Sequence, residues 1–309
     1  MAHLLFFLVT FLLASVANAF HLREVYQFPN GTRAENIAVL SNGNLLVTFA
    51  STPELWEAIP SAQPGATQVR RLHHFPNAEM VTGIAELTPD VYAVITPNTV
   101  WKVDLNNGTK NTPTRIVTLQ SARTLNGMAV LDPDTRTVAI SDSKAGLVWR
   151  LDTNTGNYTV ILKDETMAAN TKEGALLGIN GLRVHDGHVY YVNTPERLFC
   201  RIPVNTTTGR ATGSREMISQ GALADDFAIS RQGVGYLAGL TDHVITRVFV
   251  NGTQEVIANS SALMSATSGA FGRLGSSDVL YITTGGETSH VVNGTSSRGG
   301  KVQALSLGP

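Results

Sequence analysis

Six short segments of the sequence begin with a polar residue, continue with a second small or polar residue and then turn apolar, as in Asn180-Gly181-Leu182. The opening residues are Glu35, Thr82, Asn126, Asn180, Asp225 and Ser268. Their carboxylate, amide and hydroxyl oxygens are hard ligands of the kind that Ca²⁺ and Mg²⁺ prefer. Two carboxylates that face one axis without a cation repel each other, so one of them is expected to hold a proton. The alternative interpretation is that these residues only cap turns before strands.

Histidine and nucleophile chemistry has less support in the sequence. His243 could donate or accept a proton near neutral pH, although a solvated loop histidine is an equally good interpretation, and the pair His73 and His74 allows the same two interpretations. No serine nucleophile elbow, cysteine–histidine pair, phosphate-binding loop or dinucleotide fingerprint occurs in a convincing context. Cys200 is the only cysteine, so no internal disulfide can form.

The spacing of the six segments indicates a repeat. We take the first apolar residue of each segment as its anchor. The anchors are Ile37, Ile84, Met128, Leu182, Phe227 and Ala270, and the steps between them are 47, 44, 54, 45 and 43 residues. A period near 45 residues with strand-like content is typical of the blades of a β-propeller.

Each repeat contains further strands after its anchor. In the fourth repeat they cover residues 188–192 and 198–202, with β-branched and aromatic residues between clusters of Gly, Pro, Asn and Asp. Helical periodicity is nearly absent. The sequence therefore predicts an all-β, six-bladed β-propeller, and the alternative is a β-sandwich with accidental spacing. Residues 20–28 are expected to supply the outer strand of the last blade, which closes the ring and removes open sheet edges.

The first 19 residues have the pattern of a signal peptide. Residues 4–16 are almost wholly apolar, and Ala17-Asn18-Ala19 is a small-x-small cleavage pattern. A signal anchor is the other interpretation, but the apolar run is short for a membrane span. We therefore predict a signal peptide over residues 1–19, a single propeller domain over residues 20–309, and a protein of the secretory pathway, secreted or lumenal, without a stable membrane span.

Seven Asn-x-Ser/Thr sequons agree with lumenal entry, although chance is an alternative in a chain rich in Asn and Thr. The predicted glycosylation sites are Asn30, Asn107, Asn157, Asn205, Asn251, Asn259 and Asn293. The formal net charge is -1 and no basic stripe stands out, so no nucleic-acid partner is expected.

Several motifs of the chain resemble the senescence-marker-protein/gluconolactonase family of six-bladed propellers. They are Asn-Gly-Met-Ala-Val at 126–130, Asn-Gly-Leu at 180–182 and Trp-Arg-Leu-Asp at 149–152, together with the repeat period. The resemblance covers nearly the whole mature chain. It implies the propeller fold and, for the family's hydrolases, the opening of lactones with a metal-bound water and an aspartate.

By this resemblance Glu35, Asn180 and Asp225 would hold a divalent metal, and Asn126 would face the substrate. The sequence departs from the family where Asn36-Ile37 replaces Gly-Pro and where Asp226 replaces Gly. These departures bear on the hydrolytic activity more than on the fold.

In overall character the sequence is similar to secreted fungal members of this superfamily, the hetero-Diels–Alderases of tropolone-sesquiterpenoid biosynthesis. The similarity lies in size, leader and sequons rather than in a short motif. It implies a cycloaddition between an ortho-quinone methide, formed by loss of water from a hydroxymethyl polyketide, and an alkene of a humulene-type terpene. Such a reaction requires no cofactor, although a Ca²⁺ or Mg²⁺ ion in the central channel stays an option.

A cycloaddition needs two apolar partners held in near-attack geometry, a hydrogen-bond donor for the quinone-methide oxygen and an acid–base group for the dehydration. We predict Asp225, Asn126 and His243 as catalytic residues. The predicted substrate-binding residues are Phe49, Phe75, Met80, Tyr191, Tyr236, Phe271, Thr82 and Ser268. Further wall candidates are Trp56, Met167 and Leu177, and further polar candidates are Asp142, Asn193, Asp242 and Thr284. The alternative for each wall residue is the blade core.

Three functions thus follow from the sequence. The first is a pericyclase of secondary metabolism that acts on a polyketide quinone methide and a terpene. The second is a metal-dependent lactonase or esterase, which should lose activity with a chelator. The third is a secreted propeller that binds a ligand without turnover. The oligomeric state is predicted as monomer or dimer.

Overall fold

A computed structural model describes residues 20–63, 65–106, 112–171, 174, 176–275, 278–287 and 298–308. These residues form six antiparallel sheets of four strands each. Five sheets consist of consecutive strands, and the sixth joins the first described strand to the last three. Each sheet is one blade, and the innermost strands of successive blades contact each other around a central channel. The arrangement confirms the predicted all-β, six-bladed β-propeller.

The first three blades follow the chain in order. Blade 1 comprises β2 (Ala34–Val39), β3 (Leu45–Phe49), β4 (Glu54–Ile59) and β5 (Gln68–His74). Blade 2 comprises β6 (Ile84–Thr88), β7 (Val91–Thr96), β8 (Thr99–Asp104) and β9 (Thr114–Thr118). Blade 3 comprises β10 (Leu125–Asp132), β11 (Thr137–Asp142), β12 (Leu147–Asp152) and β13 (Tyr158–Leu162).

The remaining blades include strands from both ends of the described chain. Blade 4 comprises β14 (Ile179–His185), β15 (His188–Asn193), β16 (Leu198–Pro203) and β17 (Glu216–Gln220). Blade 5 comprises β18 (Phe227–Ile229), β19 (Gly235–Ala238), β20 (Val244–Val248) and β21 (Gln254–Asn259). Blade 6 comprises β22 (Ala266–Phe271), β23 (Val279–Thr284), β24 (Lys301–Ser306) and, as its outer strand, β1 (His21–Gln27).

The strand β1 pairs antiparallel with β24, with Glu24 opposite Gln303. The ion pair between Glu24 and Lys301 (Oε2 to Nζ, 2.6 Å) lies beside this ladder. Blade 6 therefore joins the N-terminal and C-terminal strands of the described chain in one sheet.

Apolar side chains fill the space between neighbouring blades. Between blades 3 and 4, Ala139 and Val148 pack with Leu182 and Tyr191 in one buried cluster. Comparable clusters join blade 6 to blade 1 and blade 1 to blade 2. The flat faces of the sheets are thus the core, and the polar residues at the starts of the inner strands are left for the channel.

A repeated hydroxyl contact fixes the inner strands of three blades. Thr48, Ser141 and Thr283 lie opposite a bulge in the inner strand of their own blade. Each donates a hydrogen bond to a backbone carbonyl of the next blade: Thr48 to Thr82 (2.8 Å), Ser141 to Asn180 (2.6 Å) and Thr283 to Glu35 (3.0 Å). We call these residues the hydroxyl latches. They hold the channel ends of consecutive blades at a fixed spacing.

The loops that precede the inner strands lie on one face of the ring, which we call the ring face. The loop before β14 contains a short 3-10 helix, Glu165–Met167, whose N-cap Asp164 accepts a hydrogen bond from the backbone N–H of Thr166 (3.0 Å). A second short 3-10 helix, Ser261–Leu263, precedes β22. In the described part of the chain, no helix is long and apolar enough to cross a membrane.

The predicted signal peptide, residues 1–19, lies outside the described residues, as do the sequons at Asn107 and Asn293. The other five sequon asparagines are exposed. They are Asn30, Asn157, Asn205, Asn251 and Asn259. Their accessibility is what glycosylation requires, and the modification itself stays a prediction.

Candidate functional site in the central channel

Six residues at the starts of the inner strands, or two positions before them, form a polar ring at the channel end on the ring face. We define the polar ring as Glu35, Thr82, Asn126, Asn180, Asp225 and Thr267. Five of the six are buried, and Asn126 is half-buried. Five of them are the residues that the sequence predicted, and the sixth blade is different.

In blade 6 the ring position belongs to Thr267 rather than to the predicted Ser268. Thr82 Oγ1 donates to the carbonyl of Leu125, the residue before the ring residue of the next blade (3.4 Å). Thr267 Oγ1 makes the equivalent contact with the carbonyl of Ala34 (3.0 Å). The sequence did not fix this register, because three small residues follow one another at this point and any of them could open the strand.

Two buried carboxyl groups dominate the electrostatics of the polar ring. Burial raises the pKa of Glu35 to about 7, and the nearby charge of Asp226 acts in the same direction. Burial and the charge of Glu35 raise the pKa of Asp225 well above its ordinary value. Asn180 Nδ2 donates a hydrogen bond to Asp225 Oδ1 (2.5 Å) and another to Thr194 Oγ1 (3.0 Å). The two carboxyl groups therefore hold a proton between them near neutral pH.

Arg33 is a cation beside the polar ring that the sequence did not single out. Its positive charge lowers the pKa of both Glu35 and Asp225, against the effect of burial. Its backbone is fixed between blade loops, because its N–H donates to Ser51 Oγ (2.8 Å) and its carbonyl accepts from the N–H of Ala50 (3.0 Å). The sequence indicates this cation only by its position two residues before Glu35. Side chains two residues apart in an extended chain point to the same side.

A second polar layer lies one residue further along the inner strands of blades 1, 5 and 6, and the side chain of Arg183 reaches it from blade 4. Asp226 Oδ2 accepts hydrogen bonds from Arg183 Nη2 (2.8 Å) and Ser268 Oγ (2.8 Å), and Ser268 Oγ also lies 3.1 Å from Asn36 Oδ1. Gly181 makes this approach possible, since a Cβ atom there would lie 2.6 Å from the Asp226 Cα atom. We call Asn36, Arg183, Asp226 and Ser268 the second layer.

The ring residues fit a hard divalent cation. The carboxylates of Glu35 and Asp225 and the amide of Asn180 supply oxygen ligands of the right kind. Among the described residues, no side chain donates a hydrogen bond to the Glu35 carboxylate, so that ligand is not committed to another partner. A cation would also relieve the mutual repulsion that raises the pKa of Asp225.

Most of the predicted aromatic wall residues lie in blade cores. Phe49, Phe75 and Tyr191 are at most 1% exposed and pack between sheets. Phe49 lies edge-on to Phe28 with ring centroids 4.8 Å apart, and the Tyr191 hydroxyl lies 2.6 Å from Thr166 Oγ1. Phe49 and Tyr191 lie on strands whose side chains alternate between two inter-blade faces, and Phe75 directly follows β5, so all three rings turn away from the channel.

The other wall candidates are distributed between core, surface and channel. Met167 is fully buried, Trp56 packs against the core between blades 6 and 1, and Leu177 is exposed. Met80 is half-buried in the loop that leads to Thr82 on the ring face. Phe271 lines a cavity in the channel, and Tyr236 packs edge-on against it at 5.4 Å.

The polar candidates beside the second strands have structural contacts. Asp142 accepts hydrogen bonds from the backbone N–H groups of Arg123 (2.8 Å) and Thr124 (2.9 Å). Asn193 Nδ2 donates to the carbonyls of Thr166 (2.8 Å) and Ala168 (3.0 Å). Both side chains organise loops on the ring face.

Asp242 forms an exposed ion pair with Arg197 (2.9 Å), and Thr284 Oγ1 accepts from the N–H of Lys301 (3.0 Å). His243 occupies a turn of blade 5 with φ +57°, and it is outside the polar ring. The pair at His73 and His74 lies on β5, the outer strand of blade 1, so it is remote from the channel.

Comparisons with known proteins point to one named activity. No family model matches the chain. The chain is 27% identical over 311 residues to a protein of Sarocladium schorii named "Putative hetero-Diels-Alderase asR5", with 84% of this chain and 77% of the relative covered. It is 28% identical over 217 residues to a "Putative hetero-Diels-Alderase" of a Phoma species, with 59% of this chain and 61% of the relative covered.

Solved structures confirm the architecture. A calcium-binding protein, regucalcin, of Agrobacterium tumefaciens superposes with a TM-score of 0.68 at 16% identity, covering 93% of this chain and 95% of the other. A gluconolactonase of Xanthomonas campestris superposes with a TM-score of 0.67 at 14% identity, covering 95% and 92%. At these identities the likeness is evidence for the fold alone.

Proposed function

We propose that this protein is a hetero-Diels–Alderase of secondary metabolism, which joins a polyketide-derived ortho-quinone methide to a humulene-type sesquiterpene. The observation that carries the proposal is the similarity to a protein named as a hetero-Diels–Alderase over 84% of this chain. The polar ring supports it, because a buried acid beside a second carboxylate suits the dehydration that produces a quinone methide. The protein is accordingly an enzyme with small-molecule substrates.

The dehydration step needs one proton donor and one proton acceptor. Protonated Glu35 would give its proton to the leaving hydroxyl of the hydroxymethyl group, which departs as water. Asp225 would take the proton of the ring hydroxyl, so the electron pair of that O–H bond becomes the carbonyl of the quinone methide. The pair of carboxyl groups ends with the same number of protons, and proton exchange between them restores the starting state.

The cycloaddition itself moves no proton and forms no bond to the protein. One alkene carbon joins the exocyclic CH₂ of the quinone methide, and the other joins its oxygen. A hydrogen bond to that oxygen lowers the barrier, and the amide of half-buried Asn126 is the ring donor that is most accessible to a substrate. The rest of the contribution is positioning of the two partners.

The test measures turnover by the purified protein of a hydroxymethyl quinone-methide precursor together with humulene. The reaction is run with and without a chelator. We expect adduct formation above the uncatalysed background, with one stereoisomer favoured, and little effect of the chelator. Asp225→Asn should lower the rate of adduct formation, while the exposed variant Glu79→Gln serves as the control. An adduct rate equal to background would overturn the proposal.

A metal-dependent lactonase is the second candidate, because the structure brings Glu35, Asn180 and Asp225 together. These residues would hold a divalent cation, which when bound supplies Lewis-acid polarisation of a lactone carbonyl. Asp225 would then remove a proton from the attacking water. Chelator-sensitive hydrolysis of a lactone panel, without adduct formation, would favour this function.

We also propose that the protein is located in the secretory pathway. The apolar leader and the five exposed sequons support it. Endoglycosidase treatment of protein from a eukaryotic host should lower its apparent mass, whereas an unchanged mass would contradict glycosylation.

A further inference from the structure

A cavity of about 280 Å³ occupies the channel at the opposite end from the polar ring. Each inner strand contributes one residue to the lining of this cavity at an equivalent position. In every blade it is the residue three positions after the polar-ring residue. These residues are Ala38, Ala85, Ala129, Arg183, Ala228 and Ala270. Five alanines at equivalent positions leave the axis open, and one arginine extends into it. We call this cavity the far chamber.

The walls of the far chamber combine apolar side chains with polar groups. Besides the alanines, Ile84, Met128 and Phe271 line it, and the polar groups lie at its two ends. At the outer end Arg273 forms an ion pair with Glu86. At the inner end stands Arg183.

Arg183 is held rigidly where the far chamber meets the second layer. Its Nη2 donates to Asp226 Oδ2 (2.8 Å), its Nη1 donates to the carbonyl of Leu182 (2.8 Å), and Nη2 also lies 3.4 Å from Ser268 Oγ. Its guanidinium carbon lies 5.5 Å from the ring centre of Phe227. These contacts use three of the five N–H donors of a guanidinium, and because Arg183 also lines the far chamber, the remaining donors can serve a ligand there.

The charges around the far chamber select against a strongly charged ligand. Arg183 is paired with Asp226, and Arg273 is paired with Glu86, so each cation has a carboxylate partner. A neutral molecule leaves both pairs intact, whereas an anion must compete with them and a cation meets an arginine at each end. The volume lies near the lower end of the range for small-molecule sites, about 300–1,000 Å³.

We propose that the far chamber is a small-molecule site separate from the polar ring, and that it binds a neutral, mainly apolar molecule with one carbonyl or ether oxygen that accepts a hydrogen bond from Arg183. In blades 1, 5 and 6 the second-layer residues Asn36, Asp226 and Ser268 lie between the ring residues and the alanine positions, and glycines occupy the equivalent positions of the other three blades. The site does not depend on the proposed cycloaddition, and a terpenoid ketone is the kind of ligand that fits it.

The test is isothermal titration calorimetry of the full protein with β-ionone as the probe, and with the matched hydrocarbon that lacks the carbonyl oxygen. Ala270→Leu narrows the far chamber at a half-buried position, and Arg183→Lys keeps the charge but removes the planar donor fork. Glu35→Gln changes the polar ring and serves as the control. Circular dichroism of each variant checks that it is folded.

We expect wild-type protein and Glu35→Gln to bind β-ionone equally, and Ala270→Leu to bind it at least tenfold more weakly. The ketone should bind several-fold more tightly than the hydrocarbon in the wild type, and this preference should disappear in Arg183→Lys. The proposal would be overturned if the wild-type protein did not bind β-ionone. It would also be overturned if Glu35→Gln weakened β-ionone binding while folded Ala270→Leu did not. The readout is binding rather than turnover, so failure of the cycloaddition assay leaves this test unaffected.

Discussion

At the scale of single residues, the chemistry of the channel depends on how Glu35 and Asp225 share protons. Neither carboxyl group is exposed, and the positive charge of Arg33 lowers both pKa values against the effect of burial. An acid with a pKa near 7 is half protonated at neutral pH, which suits a general acid. Two measurements test this description.

The first concerns activity. If protonated Glu35 assists loss of water, the rate of adduct formation should fall as the pH rises above about 7, the pKa to which burial raises this group. Glu35→Gln should lower the rate by roughly 10²-fold or more and remove this part of the pH profile. The rate of adduct formation is measured between pH 5 and pH 9 by quantifying the product in stopped assays. A Glu35→Gln variant with the wild-type pH profile would exclude Glu35 as the acid.

The second concerns stability. Because the pKa of Glu35 is higher in the folded protein (about 7) than the ordinary value of 4.5, the folded state binds more protons in this window. The free energy of unfolding should therefore decrease as the pH rises from about 4.5 to about 7, by at most about 3 kcal/mol from this group. The raised pKa of Asp225 acts with the same sign.

Urea unfolding at pH 5 and pH 8, with a chelator present, measures this difference. Glu35→Gln should reduce the loss of stability between the two values, and the exposed Glu79→Gln should keep it. A wild-type protein more stable at pH 8 than at pH 5 would contradict the assignment.

The residues of the polar ring were largely predictable because the repeat itself reveals them. Glu35, Asn180 and Asp225 open equivalent segments, so strand order alone brings them together. Arg33 and Arg183 were not predictable in this way. Their guanidinium groups lie at the ends of long side chains, and the repeat does not indicate where those groups are placed. The positions of the aromatic candidates were not predictable for a related reason. An aromatic residue on a strand is compatible with both a blade core and a channel wall, and the sequence does not distinguish the two.

At the scale of strands, the hydroxyl latches position the channel residues. Ser141 illustrates the arrangement, since its Oγ accepts from the N–H of Gly127 (2.8 Å) and donates to the carbonyl of Asn180 (2.6 Å). One hydroxyl thus satisfies a donor in blade 3 and an acceptor in blade 4. The bulge that creates this need in the inner strand could not be located from the periodicity, which is why the register of blade 6 was wrong by one residue.

Ser141→Ala should therefore destabilise the protein by about 1–3 kcal/mol, because two buried backbone groups lose their partner. The matched control is Ser214→Ala, which removes an exposed hydroxyl from a surface loop. Thermal unfolding followed by circular dichroism compares the two. Equal melting temperatures for both variants would indicate that the latch contributes little.

At the scale of the whole molecule, the pairing of β1 with β24 completes the four strands of blade 6. A chain that begins at residue 29 should have a lower melting temperature and should self-associate, because the edge of β24 is uncovered. A synthetic peptide of residues 20–28 should restore stability when added, whereas a scrambled peptide should not. Thermal unfolding and size-exclusion chromatography provide the readouts, and an unchanged melting temperature would contradict a closing role for β1.

The pairing of Glu24 with Gln303 also has a consequence for the order of events during synthesis. These two positions are 279 residues apart in the chain, so at about 5–20 residues per second a ribosome takes roughly 15–55 s between making them. For that interval β1 has no strand to pair with, although five blades behind it can already form. The residues of β1 are therefore expected to determine the yield of folded protein and its demand for chaperones more strongly than their small share of the finished core would indicate.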